Sequence, residues 1–298
     1  MNKIYITILL LSISIFSKGQ NIKDSIIDNI RLTTIAQANQ GDNYITFPTD
    51  IGNIEPLVFE ANLVPSFYIR TSKKAKLIGV LTPQIILRMY QESSFPVRTP
   101  SYMPQITAYY KINSQKKVNS FSLFLKLAHH SNGQEDDFYL ENGEINLKSG
   151  NFATNYLEAG IIKTNYSNRF HAVQFFSTSF ESHARGLTSD ELIGIYSLYR
   201  WNSVFSIFKL PKKDTDLHKK ASISVKGKTT WMFGDVHDWG FFSLNRFNIG
   251  LTFFYHPKFL EDIGFFAHFY HGMDYYNIYF DHQITMLRFG IMTEKLRF

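Results

Sequence analysis

Ser120-Phe121-Ser122-Leu123-Phe124-Leu125-Lys126-Leu127-Ala128-His129 sets Phe121, Leu123, Leu125 and Leu127 at every second position. Successive side chains of a strand point to opposite faces, so one face here is apolar and the other carries Ser122 and Lys126. The same period of two runs through Ala221-Ser222-Ile223-Ser224-Val225-Lys226-Gly227-Lys228 and through Phe247-Asn248-Ile249-Gly250-Leu251-Thr252-Phe253. Such strands suit a soluble sandwich, or a membrane barrel that shows one parity to lipid and the other to a polar lumen.

The rest of the chain favours the barrel. Met1-Asn2-Lys3 is followed by an apolar run from Ile4 to Phe16 and by Ser17-Lys18-Gly19. This reads as a secretory signal peptide over 1–19, with Gln20 as the first mature residue. The run falls short of the ~20 apolar residues of a membrane-spanning helix, and nothing later in the chain approaches that length. The absence of cysteine excludes disulfides and thiolate metal sites. A net charge of +6 suits nucleic acid or an anionic lipid surface. Its lysines fall in short pairs (Lys73-Lys74, Lys116-Lys117, Lys212-Lys213, Lys219-Lys220) rather than in a stripe, which argues against nucleic acid. The 28 Phe, 17 Tyr and 3 Trp supply enough rings for the aromatic girdles of a barrel.

Strands are expected at 58–71, 74–90, 102–112, 117–130, 153–164, 168–179, 199–210, 220–231, 242–255, 262–272 and 282–297. Bacterial single-chain barrels have even strand numbers, so a further strand at 43–52, broken by Pro48 and Gly52, completes about twelve. The domain reading is a signal peptide at 1–19, an N-terminal periplasmic or plug segment with a short helix at 20–42, and an all-β transmembrane antiparallel barrel at 43–298. Short turns alternate with long segments at 91–101, 131–152, 180–198, 232–241 and 273–281, the expected outer loops, with a helical piece at Asp190 to Tyr196. The last strand ends on Phe298, which resembles the barrel terminus recognised by the insertion machinery, although Glu294 sits where an apolar residue is usual.

The chemistry lies at the outer end of the opening strand: Leu127-Ala128-His129-His130-Ser131-Asn132-Gly133-Gln134. His129 and Ser131 share the parity of the leucines, so both project where lipid should be. A serine hydroxyl needs a base within hydrogen-bond reach to become a nucleophile. His130 has lumen parity and receives no catalytic role. In Ala153-Thr154-Asn155-Tyr156-Leu157, Asn155 has lipid parity and stands where it can accept a hydrogen bond from the imidazole of His129. An amide fixes the tautomer without placing a charge in an apolar wall.

His129-x-Ser131-Asn132-Gly133 and Asn155-Tyr156-Leu157 resemble the catalytic strands of the outer-membrane phospholipase A family. Gln91-Glu92-Ser93-Ser94-Phe95-Pro96, Tyr102-x-Pro104-Gln105 and Tyr270 to Leu296 are similar to further blocks of that family. The resemblance implies a twelve-stranded barrel, phospholipid substrates and a Ser131-His129-Asn155 triad with an oxyanion donor at Gly133. It also implies a calcium ion and a homodimer. By position, calcium would be held by the Gln134 carbonyl and the Asn151 side chain (or Ser149), with the Ser93 carbonyl supplied by a second copy. Gln134 replaces the family's usual Arg, and Asn151 its Ser or Thr. Glu135-Asp136-Asp137 form a rival acidic set. Gln84 matches an interior Gln of the family and is expected to support the Asn155 network. Two other readings compete: a lipid A deacylase, which shares the His-x-Ser-Asn motif but uses Glu as orienter, and a non-catalytic porin-like barrel.

Overall fold

The computed structural model describes residues 30–112, 119–210, 221–293 and 296. The proposed signal peptide, the lysine pairs at 116–117, 212–213 and 219–220, Glu294 and Phe298 lie outside the described residues. Helix α1 (Leu32–Asn39) leads into strands β1 (Tyr44–Thr46), β2 (Ile51–Gly52), β3 (Leu57–Leu63), β4 (Phe67–Ile69), β5 (Leu77–Tyr90), β6 (Ser101–Lys111) and β7 (Ser120–Ser131). Then follow β8 (Ala153–Ser167), β9 (Ala172–Thr188), β10 (Tyr199–Lys209), β11 (Ile223–Phe233), β12 (Phe247–Tyr255), β13 (Ile263–Met273) and β14 (Gln283–Thr293). Every pairing between these strands is antiparallel, and β14 closes the ring on β1 through Tyr44–Met292.

Two of the ring's twelve places are shared by two short strands each. β1 and β2 both pair with β14, and β3 and β4 both pair with β5. Proline is the common cause: Pro48 lies between β1 and β2, and Pro65 between β3 and β4, and proline has no N–H for the ladder. Gly52 is required where β2 meets β14. Its φ is +142°, and a Cβ there would stand 1.9 Å from the Thr285 carbonyl oxygen.

The alternation read from the sequence is the wall of the barrel. On β7, Phe121, Leu123, Leu125 and Leu127 are exposed on the outside, whereas Ser120, Ser122 and Phe124 are buried inside. Two buried arginines organise the lumen near the long-loop end. Arg88 grips Asp274 through both terminal nitrogens, at 2.6 and 2.8 Å, and Glu60 through Nε at 2.7 Å. Arg288 bridges Glu60 and Asp50. Arg88, Arg288, Glu60 and Asp274 are tolerated this deep because each has more than one partner.

Apolar clusters pack at both ends of the lumen. At the short-turn end, Ile35 and Ala36 of α1 are fully buried among Val80, Tyr109, Phe124, Ile162 and Val173, so the helix sits inside the barrel wall. At the other end, Phe138, Phe152, Tyr196, Tyr276, Ile278 and Phe280 from the long loops form an aromatic cap. The expected helical piece at 190–196 is a short 3-10 turn, Asp190–Leu192. The expected strand at 168–179 runs on to Thr188, carrying β9 beyond the apolar belt.

Candidate active site

Strand register brings His129 and Asn155 together and sets Ser131 two residues along from His129 on the same face. β7 and β8 pair with His129 opposite Asn155 and Ser131 opposite Ala153. His129, Ser131 and Asn155 are half-buried, whereas the neighbouring His130, Asn132 and Thr154 are buried. His129 Nδ1 lies 3.0 Å from Asn155 Oδ1. His130 points inward as its parity requires, with its ring edge-on to Phe152 at 4.9 Å.

The direction of the Asn155 amide follows from its other partner. Its Nδ2 donates to the Leu187 carbonyl at 2.7 Å. A carbonyl only accepts, so the amide nitrogen must face Leu187 and the amide oxygen must face His129. That oxygen accepts, so Nδ1 of His129 carries the proton and donates. Nε2 is left with its lone pair, the state in which an imidazole can act as a base.

Leu187 reaches this position because β9 bulges. Tyr156 pairs with His183 but Thr154 pairs with Thr188, so the segment 184–187 is looped out opposite Asn155. The neck of the loop is pinned on the lumen side. Thr154 Oγ1 lies 2.8 Å from His183 Nδ1 and 2.9 Å from Thr188 Oγ1, and Thr188 donates to the Ala184 carbonyl. Below it, Lys126 pairs with Glu158 at 2.7 Å, and Glu181 accepts from Asn202 and Arg200. The lumen face of β7 to β10 is therefore cross-linked behind the outward-facing groups.

After Ser131 the chain turns over a buried amide. Asn132 donates to the Gly150 carbonyl at 2.8 Å, and its Oδ1 accepts from the N–H groups of Gln134 and Phe152. This ties 132–134 to 150–152 and sets Gly133 in the left-handed region at φ +69°, against the ring of Tyr102. Gln134 and Asn151 are thus held on either side of one clamp. Two oxygens match calcium in kind but not in number, since it takes 6–8. Among the described residues no group of three or more His, Asp or Glu could hold a metal ion, which leaves Glu135-Asp136-Asp137 as exposed surface. Ser93 lies in the exposed turn after β5.

Gln84 is a correction. It bonds to Asn62 at 2.9 Å and Gln105 at 3.0 Å inside the lumen, whereas Asn155 faces outward and bonds to His129 and Leu187. Its parity was read correctly, but lumen parity is what separates it from an outward-facing amide. The Leu187 carbonyl and the Asn132 clamp were missed. The first leaves no mark on a side-chain pattern. The second had a signal in the Asn-Gly step that ends the strand.

A closed antiparallel barrel with an apolar outer wall and a polar lumen defines a transmembrane β-barrel. Its fold is that of outer membrane phospholipase A. The Escherichia coli enzyme matches with a TM-score of 0.60 at 13% identity, over 89% of this chain and 99% of that one. An active-site mutant of that enzyme at pH 6.1 matches equally well at 12% identity. A Salmonella typhi outer membrane phospholipase dimer with bound calcium matches with a TM-score of 0.59 at 12% identity. No family model and no curated protein matches the sequence.

Proposed function

We propose that this chain is an outer-membrane serine esterase of the phospholipase A1/A2 type, hydrolysing acyl esters of phospholipids that approach from the outer leaflet. The carrying observation is the oriented pair on the outer wall: His129 bonded through Nδ1 to an amide that Leu187 fixes, with Ser131 two residues along the same face. Ser131 Oγ attacks the ester carbonyl while its proton passes to His129 Nε2. The tetrahedral oxyanion forms beside the Gly133 N–H, where such a donor is worth about 100-fold or more in rate. Nε2 then protonates the leaving alcohol, and water frees the fatty acid from Ser131 by the same transfers in reverse order.

Calcium fits this reading as a cation held by the Gln134 carbonyl and Asn151, with Ser93 of a second copy and water filling the remaining positions. Bound there, it would add positive charge beside the oxyanion. The calcium-bound, dimeric Salmonella structure supports both the ion and a homodimer. An outer-membrane address would require the signal peptide and the barrel insertion machinery.

Labelling with a long-chain sulfonyl fluoride tests the nucleophile. Stoichiometric modification at Ser131 with loss of esterase activity is expected. An unlabelled, unaffected protein would return the chain to the porin-like reading. Turnover of lipid A but not phospholipid would favour the deacylase.

A further inference from the structure

Arg185 stands on the bulge of β9 that also carries the Leu187 carbonyl. Residues 184–187 are all exposed, whereas His183 and Thr188 at the neck are buried, so looping out has placed the whole segment outside the wall. Arg185 is two residues from Leu187, whose carbonyl bonds to Asn155 at 2.7 Å, which ties its backbone to the candidate triad. A Cβ added to Gly186 would meet no atom within 4 Å, so the space beside Arg185 is open.

Lack of a partner sets Arg185 apart from the other arginines toward the long-loop end. Arg88 is held by Glu60 and Asp274, Arg98 by Glu55 and Tyr279, Arg200 by Glu181, and Arg246 by the carbonyls of Trp239 and Gly240. Arg185 makes no hydrogen bond or ion pair among the described residues. Neighbouring strands lie about 4.8 Å apart, so β9 is roughly 10 Å from Ser131 across β8. A phospholipid's esters lie at the hydrocarbon margin and its phosphate in the headgroup layer, which adds roughly 5–7 Å on each side of the membrane. The bulge lies opposite Asn155, where β9 has already left the apolar belt. With an ester at Ser131, the phosphate of the same molecule therefore comes within reach of the guanidinium.

We propose that Arg185 binds the phosphodiester of the lipid under attack and is the residue that selects phospholipids over phosphate-free acylglycerols. The inference rests on the esterase reading above. A guanidinium presents a planar fork of N–H donors that matches two phosphate oxygens at once. Every glycerophospholipid carries that phosphate whatever its headgroup alcohol, so the subsite does not choose among headgroups. Holding the phosphate at the bulge also leaves the ester end of the molecule on the Ser131 side, which orients it for attack.

Arg185→Gln removes the charge and keeps a polar side chain on the bulge. The full chain, refolded in detergent and checked by heat-modifiable mobility, is assayed with calcium on dioleoylphosphatidylcholine and on dioleoylglycerol in phosphate-free dodecyl maltoside micelles. The two lipids share their chains and esters, and neither has a net charge, so general attraction to an anionic surface does not enter. The ratio of kcat/KM for the phospholipid to that for the acylglycerol is expected to fall by about tenfold in Arg185→Gln. Arg185→Lys, which keeps the charge but not the fork, should recover part of it. Adding a non-hydrolysable diether phosphatidylcholine to the acylglycerol micelles should not make their hydrolysis depend on Arg185. Such a dependence would mean that a neighbouring lipid supplies the phosphate, and would overturn the assignment. An active wild type whose ratio Arg185→Gln leaves unchanged, even where both rates fall together, overturns the subsite alone. A wild type inactive on both lipids overturns the esterase reading and the subsite with it.

Discussion

At the level of single residues, the outer wall is a relay of fixed orientations. The Leu187 carbonyl orients Asn155, Asn155 holds the proton on Nδ1 of His129, and Nε2 is left with its lone pair on the face that also carries Ser131. Asn155→Ala is expected to cut kcat on the order of 100-fold with little change in KM, since it touches the base and not the lipid. A proportionate rise in KM instead would mark Asn155 as a lipid contact. Asn132→Ala removes the acceptor of two N–H groups, one of them on buried Phe152. A loss of about 2 kcal/mol in denaturant unfolding is expected, together with weaker activity from a looser Gly133 turn. The three outward polar side chains were legible because parity alone separates lipid from lumen. The identity of their neighbours was not. Gln84 shows the difference: its face was readable, but its partners Asn62 and Gln105 depend on which strands lie beside β5.

At the level of the element, the bulge in β9 distinguishes this wall from a plain ladder. A regular β8–β9 pairing would place a residue directly opposite Asn155, without the looped-out segment that carries the Leu187 carbonyl. Deleting Ala184–Leu187 should leave a barrel of normal heat-modifiable mobility with severely reduced ester hydrolysis, whereas undiminished activity would show that the bulge has no part in orienting Asn155. Thr188→Val, which loses the bonds to Thr154 and Ala184, should lower kcat by about tenfold, and Thr188→Ser should restore it. Strand positions were largely visible in the sequence because period two is strong. The breaks at Pro48 and Pro65 were harder to place: only the former was marked, and 58–71 reads as continuous although Pro65 divides β3 from β4. The outer extension of β9 was invisible for a physical reason. Beyond Phe180 the strand leaves the apolar belt, and Ser182-His183-Ala184-Arg185-Gly186 carries no alternation to read.

For the molecule as a whole, a buried ionic lattice holds the barrel closed at its first and last strands. Arg88 and Arg288 join β3, β5, the Asp50 segment and the loop after β13 through Glu60 and Asp274. Arg88→Ala leaves Glu60 and Asp274 short of a partner and should destabilise the folded barrel by about 3–5 kcal/mol in detergent unfolding. A change below ~1 kcal/mol would mean that water replaces the guanidinium. The apolar clusters at the two ends of the lumen make a passive pore a poor description, and planar bilayers containing the protein should show no steady conductance. The inserted helix was expected only as a periplasmic or plug segment, because amphipathicity marks a buried face without saying what buries it. The central claim is that Ser131 performs ester hydrolysis on the outer wall. It is tested most directly by assaying refolded wild type and Ser131→Ala on phospholipid micelles, with calcium and with chelator. The expected result is hydrolysis by the wild type that chelation suppresses, and none by a Ser131→Ala barrel of equal mobility. Equal hydrolysis by the two proteins would contradict it.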